Sequence, residues 1–262
     1  MTLDIKQYIA DEKAKLKQQG VFGLKKPSLL ILQRGDNPAS NSYIKGKIKD
    51  GQEVGVIVDL FKTNGFCQTL DVLSYLGKKY DGIILQEPSG FDETERAEIL
   101  SLISDKQDVD GFKKTSPHTP CTPAAIMDII SHFYRWELRG KTVVVVGRGE
   151  LVGKPLVPML VEEGATVISC NSKTEPLSDY TKMGDIVITA TGVPKLITRD
   201  MLKDGAFVID AGIAFDENGK MCGDCDKAMY DDETISITPV PGGVGLATRL
   251  QLMKNVYQAR NH

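Results

Sequence analysis

The sequence predicts an α/β protein of two domains, each built on a mainly parallel sheet. Three observations predict it. Short apolar runs bounded by turn residues recur along the whole chain, and stretches of helical length separate them. The runs fall into two groups, and the break Pro120-Cys121-Thr122-Pro123 stands between them. Buried parallel strands read as continuous apolar runs, because crossover helices cover both faces of the sheet.

The first group opens with a charged segment, 2–19, whose Leu3, Ile5, Tyr8, Ile9 and Leu16 fit an amphipathic helix. Strands are expected at 28–33 (SLLILQ), 54–60 and 82–86, with helices around 40–52 and 67–79. A connecting helix over 124–132 follows the double-proline break. The second group starts after Arg139-Gly140. Its strands are expected at 141–146, with four consecutive valines, and at 165–170, 185–190 and 206–210. A helix at 151–163 joins the first two, and 244–258 reads as a closing helix. Alternation of this kind is the rhythm of a doubly wound domain of the Rossmann type. The predicted domains are 1–121 with the closing helix 245–262, and 122–244, with a cleft between them.

Composition narrows the function classes. The chain has 262 residues, enough for two modest domains. Lys and Arg number 32 against 35 Asp and Glu, a net charge of −3, which argues against a dedicated nucleic-acid binder. No apolar stretch approaches a membrane span, and no secretory signal is visible at the N-terminus, so a cytoplasmic protein is expected. Cys67, Cys121, Cys170, Cys222 and Cys225 are odd in number and scattered, unlike a disulfide framework. Cys222 and Cys225 form a CxxC, but no second pair or HxxxH accompanies it, and Gly223-Asp224 inside it reads as a turn. No metal site is expected.

The strongest local signal is the run from the strand at 142–146 into Gly147-Arg148-Gly149-Glu150-Leu151-Val152-Gly153 and a helix. Glycines there let the backbone approach a pyrophosphate at a helix N-terminus. An NAD-preferring site normally carries an acid at the end of the next strand, to hold the ribose 2′-hydroxyl. Here that position reads Cys170-Asn171-Ser172-Lys173. The hydroxyl of Ser172 and the cations of Lys173 and Arg148 suit a 2′-phosphate, which predicts NADP over NAD. Gly192, after the third strand, is placed to approach the cofactor too. In the other domain Tyr43 and Lys47 are i and i+4 on one helix face. Spacing alone leaves Lys47 as a surface lysine or as a proton-transfer group. Gln86 ends a predicted strand, and Asp108-Val109-Asp110-Gly111 is an acidic turn.

Together these stretches resemble the bifunctional methylenetetrahydrofolate dehydrogenase/methenyltetrahydrofolate cyclohydrolase (FolD) family. The matching segments are GDNPASNSYIKGK, GIILQEP, DVDGF, PCTP, VVVVGRGELVGKP, TVISCNSKT, DIVITATG, GAFVIDAGI and TPVPGGVGLAT, in the family's order over about 28–255. The resemblance implies a folate-binding catalytic domain and an NADP-binding domain. It implies oxidation of 5,10-methylenetetrahydrofolate with NADP and hydrolysis of the methenyl product to 10-formyltetrahydrofolate. That is tetrahydrofolate interconversion in one-carbon metabolism, serving purine biosynthesis. Tyr43 would stack on the aminobenzoyl group, Lys47 would transfer protons in the hydrolysis, Gln86 would orient Lys47, and Asp110 would anchor the pterin. Gly147, Arg148, Gly149, Gly153, Ser172, Lys173, Gly192 and Ile213 would line the cofactor, and Gly242 and Gly243 the substrate. A homodimer formed through the NADP-binding domain is implied, with no nucleic-acid or membrane partner.

The chain departs from the family at several points. Glu87 and Ser89-Gly90 replace apolar residues and a proline after Gln86. Gln107 replaces a lysine, Gly149 a serine and Asn171 a histidine, and Leu246-Ala247 stand for Pro-Met. Only residues 113–119 separate DVDGF from PCTP. Two alternatives accompany the reading: a dehydrogenase with impaired cyclohydrolase, and a non-catalytic dinucleotide-binding sensor on the same fold.

Overall fold

The computed structural model describes residues 1–20, 25–134 and 138–261. The chain divides into two compact units, Ala10–Cys121 with Arg249–His262, and Met1–Ile9 with Thr122–Thr248.

In the first of these, β1 (Ser28–Arg34) is the central strand of three, flanked by β2 (Ile57–Thr63) and β3 (Gly82–Leu85), all parallel. Leu29, Leu30, Ile31 and Leu32 are buried on both faces, as a central parallel strand requires. Helix α1 (Ile5–Gly20) leads in, α2 (Pro38–Val54) crosses from β1 to β2, and α3 (Phe66–Leu76) crosses from β2 to β3. The strand expected at 54–60 begins later, because Val54 closes α2 and is itself fully buried. Helix α4 (Glu93–Leu102) follows β3 and starts with a reciprocal capping box between Asp92 and Glu95. Leu30, Leu32, Val72, Leu73, Ile83, Leu85, Ile99 and Ile103 form one core between sheet and helices.

The second unit begins with α5 (Cys121–Phe133) and β4 (Thr142–Val146). Then come α6 (Gly153–Glu162), β5 (Thr166–Cys170), α7 (Leu177–Thr181), β6 (Ile186–Thr189) and β7 (Phe207–Asp210). A small antiparallel pair, β8 (Ala214–Phe215) and β9 (Met221–Cys222), precedes β10 (Ser236–Ile237), and α8 (Val244–Asn261) starts in this unit but belongs from Arg249 on to the first. The five-stranded sheet is parallel in the order β10-β7-β6-β4-β5. From β4 the chain steps one way to β5 and then returns to the other side as β6. Such a reversal opens a crevice at the carboxyl ends of the strands.

Residues 1–9 pack with the second unit. Leu3 N donates to Ile237 O at 2.9 Å and Ile237 N to Met1 O at 3.1 Å, so the terminus pairs with β10. Tyr8 then packs 4.4 Å from the His132 ring of α5.

Candidate active site

Two groups of candidate residues arise, one in each unit. In the first, α2 turns Tyr43 and Lys47 to one face, and Lys47 is only 8% exposed. Its Nζ donates to Gln86 Oε1 at 2.9 Å. Gln86 Nε2 donates to the carbonyl of Glu87 at 2.7 Å, which fixes which way the amide points. Burial pushes the Lys47 ammonium toward deprotonation; Asp110 and Cys121 oppose this, and Arg249 adds to it. Burial likewise pushes the Asp110 carboxyl up, against the attraction of Lys47. The phenol of Tyr43 is pushed up by burial and eased down by Arg249. Lysine and acid are thus both moved toward their neutral forms by loss of water.

The departures near this group have local structural answers. Glu87 is paired: Arg96 Nε donates to its Oε1 at 2.6 Å and Ser89 N to its Oε2 at 2.8 Å. The Arg96 guanidinium lies 5.2 Å from the centre of the Phe112 ring. The short segment 113–119 is pinned to the residues before it. Asp108 accepts Lys113 N at 2.8 Å, Ser116 Oγ donates to Asp108 O at 2.9 Å, and a His118 ring nitrogen meets Lys106 O at 3.0 Å. Gln107 Nε2 donates to Gly77 O and Tyr80 O, both at 2.8 Å.

Sequence reasoning missed three residues here. Cys121 donates to Val109 O at 3.3 Å, and burial raises its thiol well above the ordinary range, so it stays protonated beside Asp110. Asn255 of α8 donates to Val109 O at 2.9 Å and to Thr119 O at 3.3 Å, bracketing Asp110. Arg249 of α8 binds Asp50 of α2. No spacing rule joins positions so far apart in the chain.

In the second unit the candidates gather at the carboxyl edge of the sheet: Gly147 after β4, Ser172 and Lys173 after β5, Gly192 after β6, Ile213 after β7, and Gly242 and Gly243 after β10. Gly147 adopts φ +110°, and a Cβ there would lie 2.5 Å from Ala190 O. A Cβ on Gly153 would lie 1.9 Å from Gly147 O, so the loop and the first turn of α6 are in backbone contact. Gly149 faces open space, which accommodates the serine usual in the resembling family. Arg148 is exposed but moored, with Nε donating to Ser169 Oγ at 3.0 Å and Nη2 to Ser169 O at 2.5 Å. Its mooring on β5 directs it to the edge where Ser172 and Lys173 form an exposed turn, held by Lys173 N donating to Asn171 Oδ1 at 3.0 Å. Val193 and Ile213 leave apolar surface exposed along the same edge.

Two buried acids support this edge. Asp224 Oδ2 accepts Thr189 Oγ1 at 2.6 Å and Thr191 N at 2.7 Å. Asp210 accepts the backbone N–H groups of Gly212, Asp224 and Cys225 at 2.9–3.1 Å. Cys222 and Cys225 are buried free thiols, and burial together with Asp210 drives the Cys225 thiol up. Such a thiol is inert rather than redox-active. Among the described residues no three His, Cys, Asp or Glu side chains converge as a metal site.

A switch-point reversal, a glycine loop in backbone contact with its helix and a basic turn after β5 fit the dinucleotide-binding class of α/β proteins. Family models agree with this and refine it. Residues 1–110 match the tetrahydrofolate dehydrogenase/cyclohydrolase catalytic domain, and residues 120–262 match the NAD(P)-binding domain of the same family. The "Bifunctional protein FolD" of Bacillus cereus is 38% identical over 96% of this chain and 91% of that protein. The crystal structure of the FolD methylenetetrahydrofolate dehydrogenase/cyclohydrolase of Campylobacter jejuni is 35% identical, with a TM-score of 0.90 over 100% of this chain and 99% of that one. The Trypanosoma brucei FolD enzyme, solved with NADP and an inhibitor, is 26% identical, with a TM-score of 0.91 over 100% of this chain and 97% of that one. The chain belongs to the tetrahydrofolate dehydrogenase/cyclohydrolase family.

Proposed function

We propose that this protein oxidises 5,10-methylenetetrahydrofolate with NADP and hydrolyses the methenyl product to 10-formyltetrahydrofolate. Family membership over both units supports the pair of reactions. The observation that carries the hydrolytic half is the buried Lys47–Gln86 hydrogen bond beside Asp110. A dehydrogenase alone or a nucleotide sensor gives no reason to desolvate a lysine there.

The chemistry follows from what these side chains can hold. Tyr43 provides a ring for the aminobenzoyl group, and Asp110 an acceptor for paired pterin N–H groups. When bound, NADP would supply the acceptor for the hydride of the methylene carbon. The folate nitrogens stabilise the cation left behind, so the protein's contribution to this step is placement. Hydrolysis needs proton transfer. Lys47, moved toward its free amine by burial, accepts a proton as water adds to the methenyl carbon. It returns one to the folate nitrogen as the ring C–N bond opens, and the net proton of the reaction passes to solvent. Gln86 Oε1 holds the amine while leaving its lone pair free.

For the cofactor, Gly147, Arg148, Gly149, Gly153, Gly192 and Ile213 line the crevice, and Ser172, Lys173 and Arg148 receive the 2′-phosphate. Gly242 and Gly243 let the backbone come close to substrate. The unit Ala10–Cys121 with Arg249–His262 is the folate domain, and the other unit is the NADP domain. The protein works as a cytoplasmic homodimer, and its 10-formyl product is a one-carbon donor of the kind purine biosynthesis consumes. Dimerisation through the NADP domain is supported by β5, whose outer edge pairs with no other strand among the described residues, and by exposed Val161 of α6 and Tyr180 of α7 beside it. No helix among the described residues is long and apolar enough to cross a membrane. The deciding experiment incubates the protein with 5,10-methylenetetrahydrofolate and NADP, with NAD in parallel, and follows nucleotide reduction and folate products together. NADP reduction with 10-formyltetrahydrofolate formed faster than spontaneous hydrolysis is expected. Methenyl product persisting at its uncatalysed rate overturns the second activity.

A further inference from the structure

Positions 43, 46, 47 and 50 of α2 are spaced i, i+3, i+4 and i+7, so Tyr43, Gly46, Lys47 and Asp50 form one stripe. Arg249 lies along it. Its Nε donates to Asp50 Oδ2 at 2.5 Å, and Lys13 Nζ donates to Asp50 Oδ1 at 2.5 Å. Lys13 also binds Glu53 at 2.6 Å. Asp50, buried and shared by two cations, neutralises Arg249 only in part. The guanidinium rests on Gly46, where a Cβ would lie 2.5 Å from Nη1 and 2.7 Å from Cζ. A poor helix former in the middle of α2 thus makes room for a cation against the helix, one residue before Lys47.

Lys47 is faced by Gln86 after β3, by Asp110 and Cys121 from the segment leading into α5, by Arg249 of α8 and by Tyr43 of its own helix. Asp110, when ionised, favours the ammonium. Cys121 and Tyr43 are protonated and Gln86 is neutral, so none of them repels it. Arg249 is the one group in this set whose charge opposes a second positive charge at Lys47.

We propose that Arg249 is a positioning residue for Lys47: seated on Gly46 and anchored to Asp50, it adds a positive charge that opposes protonation of the lysine, on top of its loss of water. This rests on the proton-transfer role of Lys47 proposed above. The test is the pH profile of methenyl hydrolysis in wild type, Arg249→Met, Arg249→Lys, Gly46→Ala and Lys47→Ala. In Arg249→Met the acid limb moves up by about 0.5–1 pH unit, as removal of one nearby charge at intermediate dielectric predicts. On that limb the rate falls about 3- to 10-fold, and the high-pH plateau is kept. Gly46→Ala gives the same upward shift, because the new methyl displaces the guanidinium while alanine favours the helix. Arg249→Lys keeps the charge and the wild-type limb. An unmoved limb in Arg249→Met and Gly46→Ala, with Lys47→Ala inactive, overturns the role of Arg249 and leaves that of Lys47. An equal shift in Arg249→Lys overturns it too, since charge is then not the agent. Retained hydrolysis in Lys47→Ala removes the proton-transfer role and this inference with it. Where Arg249→Met does not fold, Gly46→Ala decides between the same outcomes.

Discussion

Lys47 Nζ donates to Gln86 Oε1 at 2.9 Å, and both side chains are more than nine-tenths buried. The amide cannot turn around without losing its bond to the Glu87 carbonyl, so it presents an acceptor to the lysine. A neutral acceptor favours the ammonium far less than a carboxylate in the same place would. Gln86→Glu puts a carboxylate at the same distance and makes the ammonium the stable form. Methenyl hydrolysis at neutral pH is then expected to fall sharply. Lys47→Ala is expected to lower it by about 10²–10⁴-fold, the usual contribution of a positioned proton-transfer group. Both variants bind NADP as wild type does. Steady-state hydrolysis and NADP titration check this, and full hydrolysis in Lys47→Ala rejects the assignment.

Burial of Lys47 also has a thermodynamic signature. Its folded value lies below the ordinary 10.5, with burial the leading cause. Between that folded value and 10.5 the unfolded chain binds a proton that the folded chain does not, so stability rises with pH across the window. Lys47→Met removes the group. Relative to this variant, wild type should gain stability as pH climbs toward 10.5. Urea denaturation of both proteins across alkaline pH measures the difference, and parallel curves count against a desolvated lysine.

The glycine loop separates two kinds of glycine. A methyl at Gly153 meets the Gly147 carbonyl oxygen at 1.9 Å, a backbone atom with no flexible side chain to yield. Gly149 meets nothing within 4 Å. Gly153→Ala should therefore abolish NADP binding or lower stability by several kcal/mol, at the upper end of about 1–3 kcal/mol for overpacking or beyond it. Gly149→Ser should leave NADP affinity and stability within about threefold and ~0.5 kcal/mol of wild type. Isothermal titration and thermal melts of the two variants test the contrast.

Asp224 holds the far wall of the same crevice. Its Oδ2 accepts Thr189 Oγ1 and Thr191 N, and the side chain is fully buried. Asp224→Ala leaves two donors without their partner, at a cost of about 1–3 kcal/mol for each group that stays unsatisfied. The loop carrying Gly192 loses its anchor with them. Weaker NADP binding and a lower melting temperature are expected, and Asp224→Asn, which keeps an acceptor, should recover part of both. Equal NADP affinity in Asp224→Ala and wild type sinks this role.

The parallel sheets were legible because buried strands such as β1 and β4 are unbroken apolar runs. The glycine loop was legible because its spacing is local. Helix α6 starts at Gly153 rather than at 151, because the preceding residues are needed for the turn. Strand β10 has two residues, too few to carry a period, and is fixed by pairing with β7. Helix α4 buries little, with Ile99 fully covered, so its apolar pattern is weak although its capping box is local. The state of Lys47 was beyond spacing rules. Its burial depends on Gln86, Asp110 and Arg249, which long-range folding brings to α2. The partner of Glu87 is likewise beyond spacing rules, because it is Arg96 on α4.

The choice of nucleotide turns on few residues, which makes it easy to test. Arg148 is tied to Ser169, so its position is set by the protein before any phosphate arrives. A preorganised guanidinium loses less freedom on binding than a free one, and its contact with a phosphate is charge-assisted. Lys173 stands on an exposed turn and has a flexible stem, so it should contribute less. Arg148→Ala is expected to raise the KM for NADP by about 10- to 100-fold, in line with about 1.5–3 kcal/mol for a hydrogen bond to a charged group. Lys173→Ala should raise it by a few-fold at moderate salt, as a screened exposed charge does. NAD lacks the 2′-phosphate, so its KM should change little in either variant. Dehydrogenase kinetics with both nucleotides at two salt concentrations read these numbers directly. A proportional loss with NADP and NAD would mean that Arg148 supports the loop rather than the phosphate, and the preference for NADP would then need another source.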